Sequence, residues 1–223
     1  MIAWLAPGDP PDSFPPVERA LRDPDGLLAA GGDLSCERLV YAYSRGIFPW
    51  YSPGQPVLWW SPDPREVLIP QEFHVSRSLA RALRTRGFEY QVDRDFEAVI
   101  SACAAPRSSS PGTWITDEMH AAYLELHRRG IAHSGEIWRA GRLVGGVYGV
   151  RLGRVFFGES MFSRERDASK AALAGLVRQC LHDGTELIDC QLPSEHLRSL
   201  GSRPLPRSQF LVWLGRAMAA GAG

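Results

Sequence analysis

Apolar residues along the 223-residue chain recur with two different periods, and the architecture changes where the period does. Residues 1–20 follow neither period. Pro7, Pro10, Pro11, Pro15 and Pro16 interrupt them, so they read as an extended arm that packs without pairing. Helical spacing starts after Asp33, the expected cap, and sets Leu34, Leu39, Ala42 and Tyr43 on one side before Gly46 closes the helix. The stretch 46–70, GIFPWYSPGQPVLWWSPDPREVLIP, is too rigid and too aromatic for a flexible linker and is expected to form an ordered surface. A short strand at 88–92, a helix over 93–103, the loop APRSSSPG and a helix from Thr116 to Arg129 follow. From Ala132 the period becomes two, giving three strands with turns at Ala140-Gly141 and Leu152-Gly153. Asp167 then stands at the N-cap of a helix that ends before Gly184, and TELIDCQ reads as a buried strand.

An antiparallel meander followed by a helix and a further strand is the core order of an N-acetyltransferase-like (GNAT-like) domain. The expected fold is therefore α+β, with a small irregular, Pro/Trp-rich N-terminal domain over residues 1–72 and the GNAT-like domain over 73–223. Lys+Arg and Asp+Glu both total 25, so a nucleic acid would have to be met by a local basic patch and not by the whole surface. The chain has no apolar run long enough to cross a membrane and no signal-peptide core, which points to a cytoplasmic protein. Cys36, Cys103, Cys180 and Cys190 form no CxxC pair and the histidines no HExxH, so neither metal nor cofactor is expected.

Several positions carry candidate chemistry. On the 74–86 segment Arg77, Arg81 and Arg84 share one helical face with no acid between them, which is either a solvated face or one that meets phosphates. Trp50, Trp59 and Trp60, held by proline-rich backbone, either staple the region to the core or offer stacking surfaces to bases. Strand alternation sets Asp189 and Gln191 on one face of TELIDCQ, with Ile188 and Cys190 on the other. Glu159 ends the apolar strand VFFG and shares a face with Met161; one acid among apolar walls suits a substrate with a cation beside an apolar group. The segment SRERDASK, where coenzyme A would require a glycine-rich turn, contains no glycine. Another acyl donor is therefore expected, its phosphate meeting Lys170, the only lysine of the chain. A coenzyme A-dependent acetyltransferase and a non-catalytic RNA-binding module are the competing classes.

Read together, FPWYSPGQPVLWWSPDPR, GTWIT, GGVYGV, GESMFS, ASK and IDCQ closely resemble the bacterial leucyl/phenylalanyl-tRNA-protein transferase family, over about Phe14 to Leu214. The resemblance implies transfer of Leu or Phe from Leu-tRNA or Phe-tRNA to the N-terminal Arg or Lys of a protein, which marks that protein for degradation by the N-degron route. It implies that Trp50 and Trp114 hold the terminal adenosine. Val147, Met161, Leu176, Cys180 and Ile188 would then line the side-chain pocket, and Arg77, Arg81 and Arg84 would meet the tRNA. Glu159, Asp189 and Gln191 carry over as the catalytic group: Gln191 orients the attacking amine, Asp189 accepts or relays its proton, and Glu159 pairs with the basic acceptor. A monomer is expected, with a mobile tail, AMAAGAG.

Overall fold

A computed structural model describes residues 2–105 and 114–220, so most of the loop APRSSSPG lies outside the described residues. Two sheets organise the chain. The smaller has the order β1-β2-β4-β3, from β1 (Ala3–Leu5), β2 (Leu27–Gly31), β3 (Phe48–Pro49) and β4 (Leu58–Trp60). The N-terminal arm thus does pair: Ala3 to Leu5 run parallel to Ala29 to Gly31, because these residues precede Pro7 and keep their backbone N–H groups. Helix α1 (Cys36–Ser44) is capped by Ser35, whose Oγ accepts from the Arg38 N–H, while Asp33 accepts from the Ser35 N–H one step earlier.

The larger sheet has seven strands in the order β11-β5-β10-β9-β8-β7-β6. They are β5 (Arg65–Leu68), β6 (Glu89–Val92), β7 (Ala132–Arg139), β8 (Arg142–Leu152), β9 (Val155–Ser163), β10 (Leu187–Gln191) and β11 (Arg203–Leu205). Six more helices complete the described chain: α2 (Arg77–Thr85), α3 (Phe96–Ala104), α4 (Asp117–Arg128), α5 (Ala168–His182), α6 (Glu195–Arg198) and α7 (Arg207–Ala219). The meander β7-β8-β9 turns at Ala140 and Gly141, both with positive φ, and α5 carries the chain across to β10, which pairs parallel to β9. This is the element order expected of a GNAT-like domain. The strand β5, ahead of residue 72, belongs to the same sheet.

Three local expectations shift. The helix expected from Asp93 begins at Phe96, capped by Asp95, because Asp93 bends with φ 53. Asp167 occupies the N-cap position of α5 in a left-handed conformation, but its carboxylate turns to Arg86 at 3.4 Å and does not cap. The tail expected to be mobile is helical through Ala219, and the fully buried Ala217 accepts from the Arg154 N–H at 3.0 Å. Residues 221–223 lie outside the described residues.

Alternation along β9 divides the interior. Val155 and Phe157 join Tyr148, Leu187 and residues of α1, α3, α4 and α7 on one face, continuous with Trp59 of the smaller sheet. Phe156 points the other way, joining Val147, Ile188 and the inner residues of α5. Both cores meet at β9 and β10.

A pH-sensitive brace joins the turn after β6 to β7. His133 Nδ1 lies 2.7 Å from Asp93 Oδ2, and Asp93 Oδ1 accepts from the Ser134 N–H at 2.6 Å. Burial raises the Asp93 pKa, but the bonds from His133 and Ser134 outweigh it and the net shift is downward. The bond to Asp93 raises His133 despite burial. The contribution of His133 is therefore complete below its ordinary pKa of about 6.5 and is lost as pH rises through the raised value. The Asp93 contribution is present above its ordinary pKa of about 3.9 and is lost as pH falls through the lowered one. Replacing His133 by Gln is expected to lower the thermal midpoint most at about pH 5–6 and least at about pH 9, as read by calorimetry.

Candidate active site

Parallel pairing of β9 with β10 stops at Phe157 and Asp189, and beyond that point the residues of the two strands face a cleft of about 800 Å3. Both strands carry a bulge here. The register of β8 on β9 steps from Gly149–Gly158 to Tyr148–Ser160, leaving Glu159 unpaired. The register of β10 on β5 steps from Asp189–Val67 to Gln191–Glu66, leaving Cys190 unpaired. Bulges of this kind re-aim side chains, and these two aim Glu159 and Gln191 into the same cleft.

Glu159 is held by three donors. Its Oε1 accepts from Tyr43 Oη at 2.6 Å and Gln191 Nε2 at 3.2 Å, and its Oε2 accepts from Tyr123 Oη at 2.9 Å. The two tyrosine hydroxyls also touch each other, and Tyr148 packs edge-on against Tyr123. Burial among these rings pushes the Glu159 carboxyl up to about 7; the tyrosine donors restrain the rise and the nearby Asp189 adds to it. A carboxyl poised near neutrality can take up or release a proton under ordinary conditions.

Asp189 is placed differently from the sequence expectation. Its side chain is 0% exposed and points away from the cleft, where Arg65 Nε meets Oδ1 at 2.8 Å and Arg65 Nη2 meets Oδ2 at 2.7 Å. The bulge at Cys190 and the positive φ of Gln191 (57°) break the alternation, so Gln191 turns into the cleft along with Ile188 and Cys190. Asp189 meets Gln191 only through the backbone, accepting its N–H at 2.9 Å.

Val147, Met161, Leu176 and Ile188 form the apolar wall of the cleft, on the α5 side of the sheet. Cys180, one helical turn beyond Leu176, belongs to the same cluster but lies behind that wall, and burial pushes its thiol up to about 11. Trp50 is 40% exposed and packs edge-on against Trp60, while Trp114 rests on the core. Neither is among the described residues of the cleft wall, but the hydrogen bond of Tyr51 Oη with Thr116 Oγ1, at 3.1 Å, brings their two segments together. Arg77, Arg81 and Arg84 are exposed on α2, opposite the buried Leu79 and Ala82, and none has an ion-pair partner among the described residues. Lys170 lies on the first turn of α5 beside Ser169 of the cleft wall. It is close enough to His196, at the same end of the cleft, to add to the effect of burial in lowering that imidazole's pKa.

Two family models account for most of the chain: leucyl/phenylalanyl-tRNA protein transferase over residues 67–215 and the N-terminal domain of the same protein over residues 32–63. The chain belongs to the leucyl/phenylalanyl-tRNA protein transferase family. A leucyl/phenylalanyl-tRNA–protein transferase of Azotobacter vinelandii is 61% identical over 91% of this chain and 89% of its own. One from Pseudomonas entomophila is 57% identical over 100% and 98%. Among solved structures, a GCN5-related N-acetyltransferase from Kribbella flavida covers 74% of this chain and 59% of its own, at 14% identity and a TM-score of 0.42.

In this member of the transferase family, three residues of the site escape the sequence analysis. Tyr43 and Tyr123 sit at apolar positions of α1 and α4, and Arg65 is an arginine within the buried strand β5. The one sequence signal is the pair Arg65-Glu66 ahead of the apolar run VLI, since charges carried into a buried strand need buried partners.

Proposed function

We propose that this protein moves a leucyl or phenylalanyl group from aminoacyl-tRNA to the α-amino group of proteins that begin with Arg or Lys, giving them an N-terminal residue that marks them for degradation. The observation that carries the reading is the juxtaposition, across one cleft, of Glu159 and Gln191 with the apolar wall of Val147, Met161, Leu176 and Ile188. The donor's side chain would fill the apolar wall, and its adenosine would stack between Trp50 and Trp114. Arg77, Arg81, Arg84 and Lys170 would meet the phosphates of the tRNA.

Glu159 is the one carboxylate of the cleft wall among the described residues, so the cationic N-terminus of the acceptor would come to it. The Glu159 carboxylate takes a proton from the α-ammonium, and the freed amine attacks the ester carbonyl. A C–N bond forms, the ester C–O bond breaks, and the ribose oxygen of the tRNA leaves as a hydroxyl with the second proton shed by the attacking nitrogen, which keeps one as the new amide N–H. Tyr43 and Tyr123 hold Glu159, and Gln191 orients the amine through its side-chain amide. Asp189, enclosed by Arg65, supports Gln191 instead of exchanging protons with substrate. The ester is already activated, so positioning supplies much of the acceleration.

The same reading makes the protein a cytoplasmic monomer that needs neither metal nor cofactor; no helix of the described residues is long and apolar enough to cross a membrane. It divides the chain into a small N-terminal domain and a GNAT-like domain, with the boundary nearest the link between β4 and β5. Incubation with labelled Phe-tRNA and an Arg-initiated protein is expected to move label into the protein, and blocking the acceptor's amino group should abolish it. Label that never enters the protein would sink the reading. Replacing Arg77, Arg81 and Arg84 together by Ala should weaken tRNA binding and reduce the salt-dependence slope by about 2 to 3, equally for Leu and Phe donors. An unchanged slope would leave the stripe a solvated face.

A further inference from the structure

Arg65 lies behind the cleft, on β5, 124 residues away from Asp189 in sequence. A fully buried ion pair seldom exceeds an apolar pair of the same volume as a source of stability. This one is nevertheless closely enclosed: the guanidinium lies 4.7 Å from the Phe48 ring and 4.9 Å from the Phe210 ring, and its Nη1 donates to Gly46 O at 3.1 Å. Its remaining connection leads to the active site. Asp189 Oδ1 accepts from Arg65 Nε and also from the Gln191 N–H, and Gln191 adopts a left-handed φ that is unfavourable for a residue with a Cβ. That bend turns the Gln191 side chain toward Glu159, 3.2 Å away.

We propose that Arg65 is a positioning residue for acyl transfer: it clamps the Asp189 carboxylate, which in turn locks Gln191 in the left-handed bend from which its amide reaches Glu159. The proposal rests on the transfer reading above. A guanidinium suits the task because one planar fork spans both carboxylate oxygens and still reaches Gly46, whereas an ammonium is a single point of charge. The clamp also ties the loop after α1 and helix α7, through Gly46, Phe48 and Phe210, to the geometry of the reacting groups.

The test compares wild type with Arg65→Lys, Arg65→Gln, Asp189→Asn and the double variant Arg65→Gln/Asp189→Asn, using Phe-tRNA and an Arg-initiated peptide, with folding followed by circular dichroism. Each single variant is expected to lose kcat by about 10²-fold at a temperature well below its unfolding, with the donor KM unchanged, because the Gln191 amide is misplaced while the donor's contacts stay intact. The double variant should be no slower than the slower single, since both substitutions open one clamp. If a single variant fails to fold, the double, which buries no unpaired charge, carries the test. A folded Arg65→Lys or double variant with wild-type kcat, a loss confined to the donor KM or to the thermal midpoint, or fully additive effects would overturn the proposal. Wild-type protein that transfers nothing would instead remove the reading on which it rests, and the proposal with it.

Discussion

Transfer by Glu159→Gln is expected to fall by about 10²- to 10⁴-fold, the range over which general-base assistance commonly acts. The substitution keeps the volume of the side chain and leaves Tyr43 and Tyr123 a partner, so the fold should persist. Its pH dependence runs opposite to that of a salt-bridged acid. The folded pKa of Glu159, about 7, is above its ordinary value, so the native state holds a proton that the unfolded chain has released. Stability therefore falls as pH rises from about 4.3 toward 7, and above that the wild type carries a buried charge that the glutamine variant lacks. At about pH 8 the variant should unfold at the same temperature as wild type or a higher one while remaining almost inactive. A variant that transfers within about threefold of wild type would leave positioning alone as the source of rate.

Replacing Trp50 and Trp114 together by Ala is expected to raise the donor KM by roughly 30- to 2×10⁴-fold, since each base–ring stack is worth about 1–3 kcal/mol and the two together about 2–6 kcal/mol. Trp50 should act independently of the cleft, because its exposed ring packs edge-on against Trp60 and is not among the described residues of the cleft wall. Acceptor KM and the pH profile should be unchanged, because Glu159, Gln191 and their tyrosine donors are untouched. Initial rates over a range of Phe-tRNA concentrations check this; a donor KM near that of wild type would remove both tryptophans from the donor site.

The elements that sequence makes legible are those whose signals are local. The period-two run from Ala132, its turn at Ala140-Gly141 and the helix cap at Thr116 all act over a few residues, and the meander and that helix follow from them. Glu159 stands out for the same reason, as an acid ending an apolar strand. The parity argument for Asp189 breaks because alternation holds only in an unbroken strand, and neither a bulge at Cys190 nor a left-handed Gln191 alters the pattern of apolar residues. Arg65 is hidden by distance along the chain, its partner lying on another strand of the sheet. Tyr43 and Tyr123 are hidden by chemistry: a tyrosine ring satisfies the apolar face of an amphipathic helix whether or not its hydroxyl serves a carboxylate. The cap expected at Asp167 fails because its ion pair with Arg86 depends on how α2 and α5 meet, which no local pattern encodes.

The most direct test is the pH dependence of single-turnover transfer from Phe-tRNA to an Arg-initiated peptide, measured for wild type, Asp189→Asn and Glu159→Gln. The acceptor's own α-amino group contributes a step near about 8 in all three. Wild type and the slower Asp189→Asn are expected to share a further rising limb near 7, set by Glu159, and Glu159→Gln is expected to lack it. A limb near 7 that survives in Glu159→Gln and disappears in Asp189→Asn would contradict the account and make Asp189 the proton acceptor.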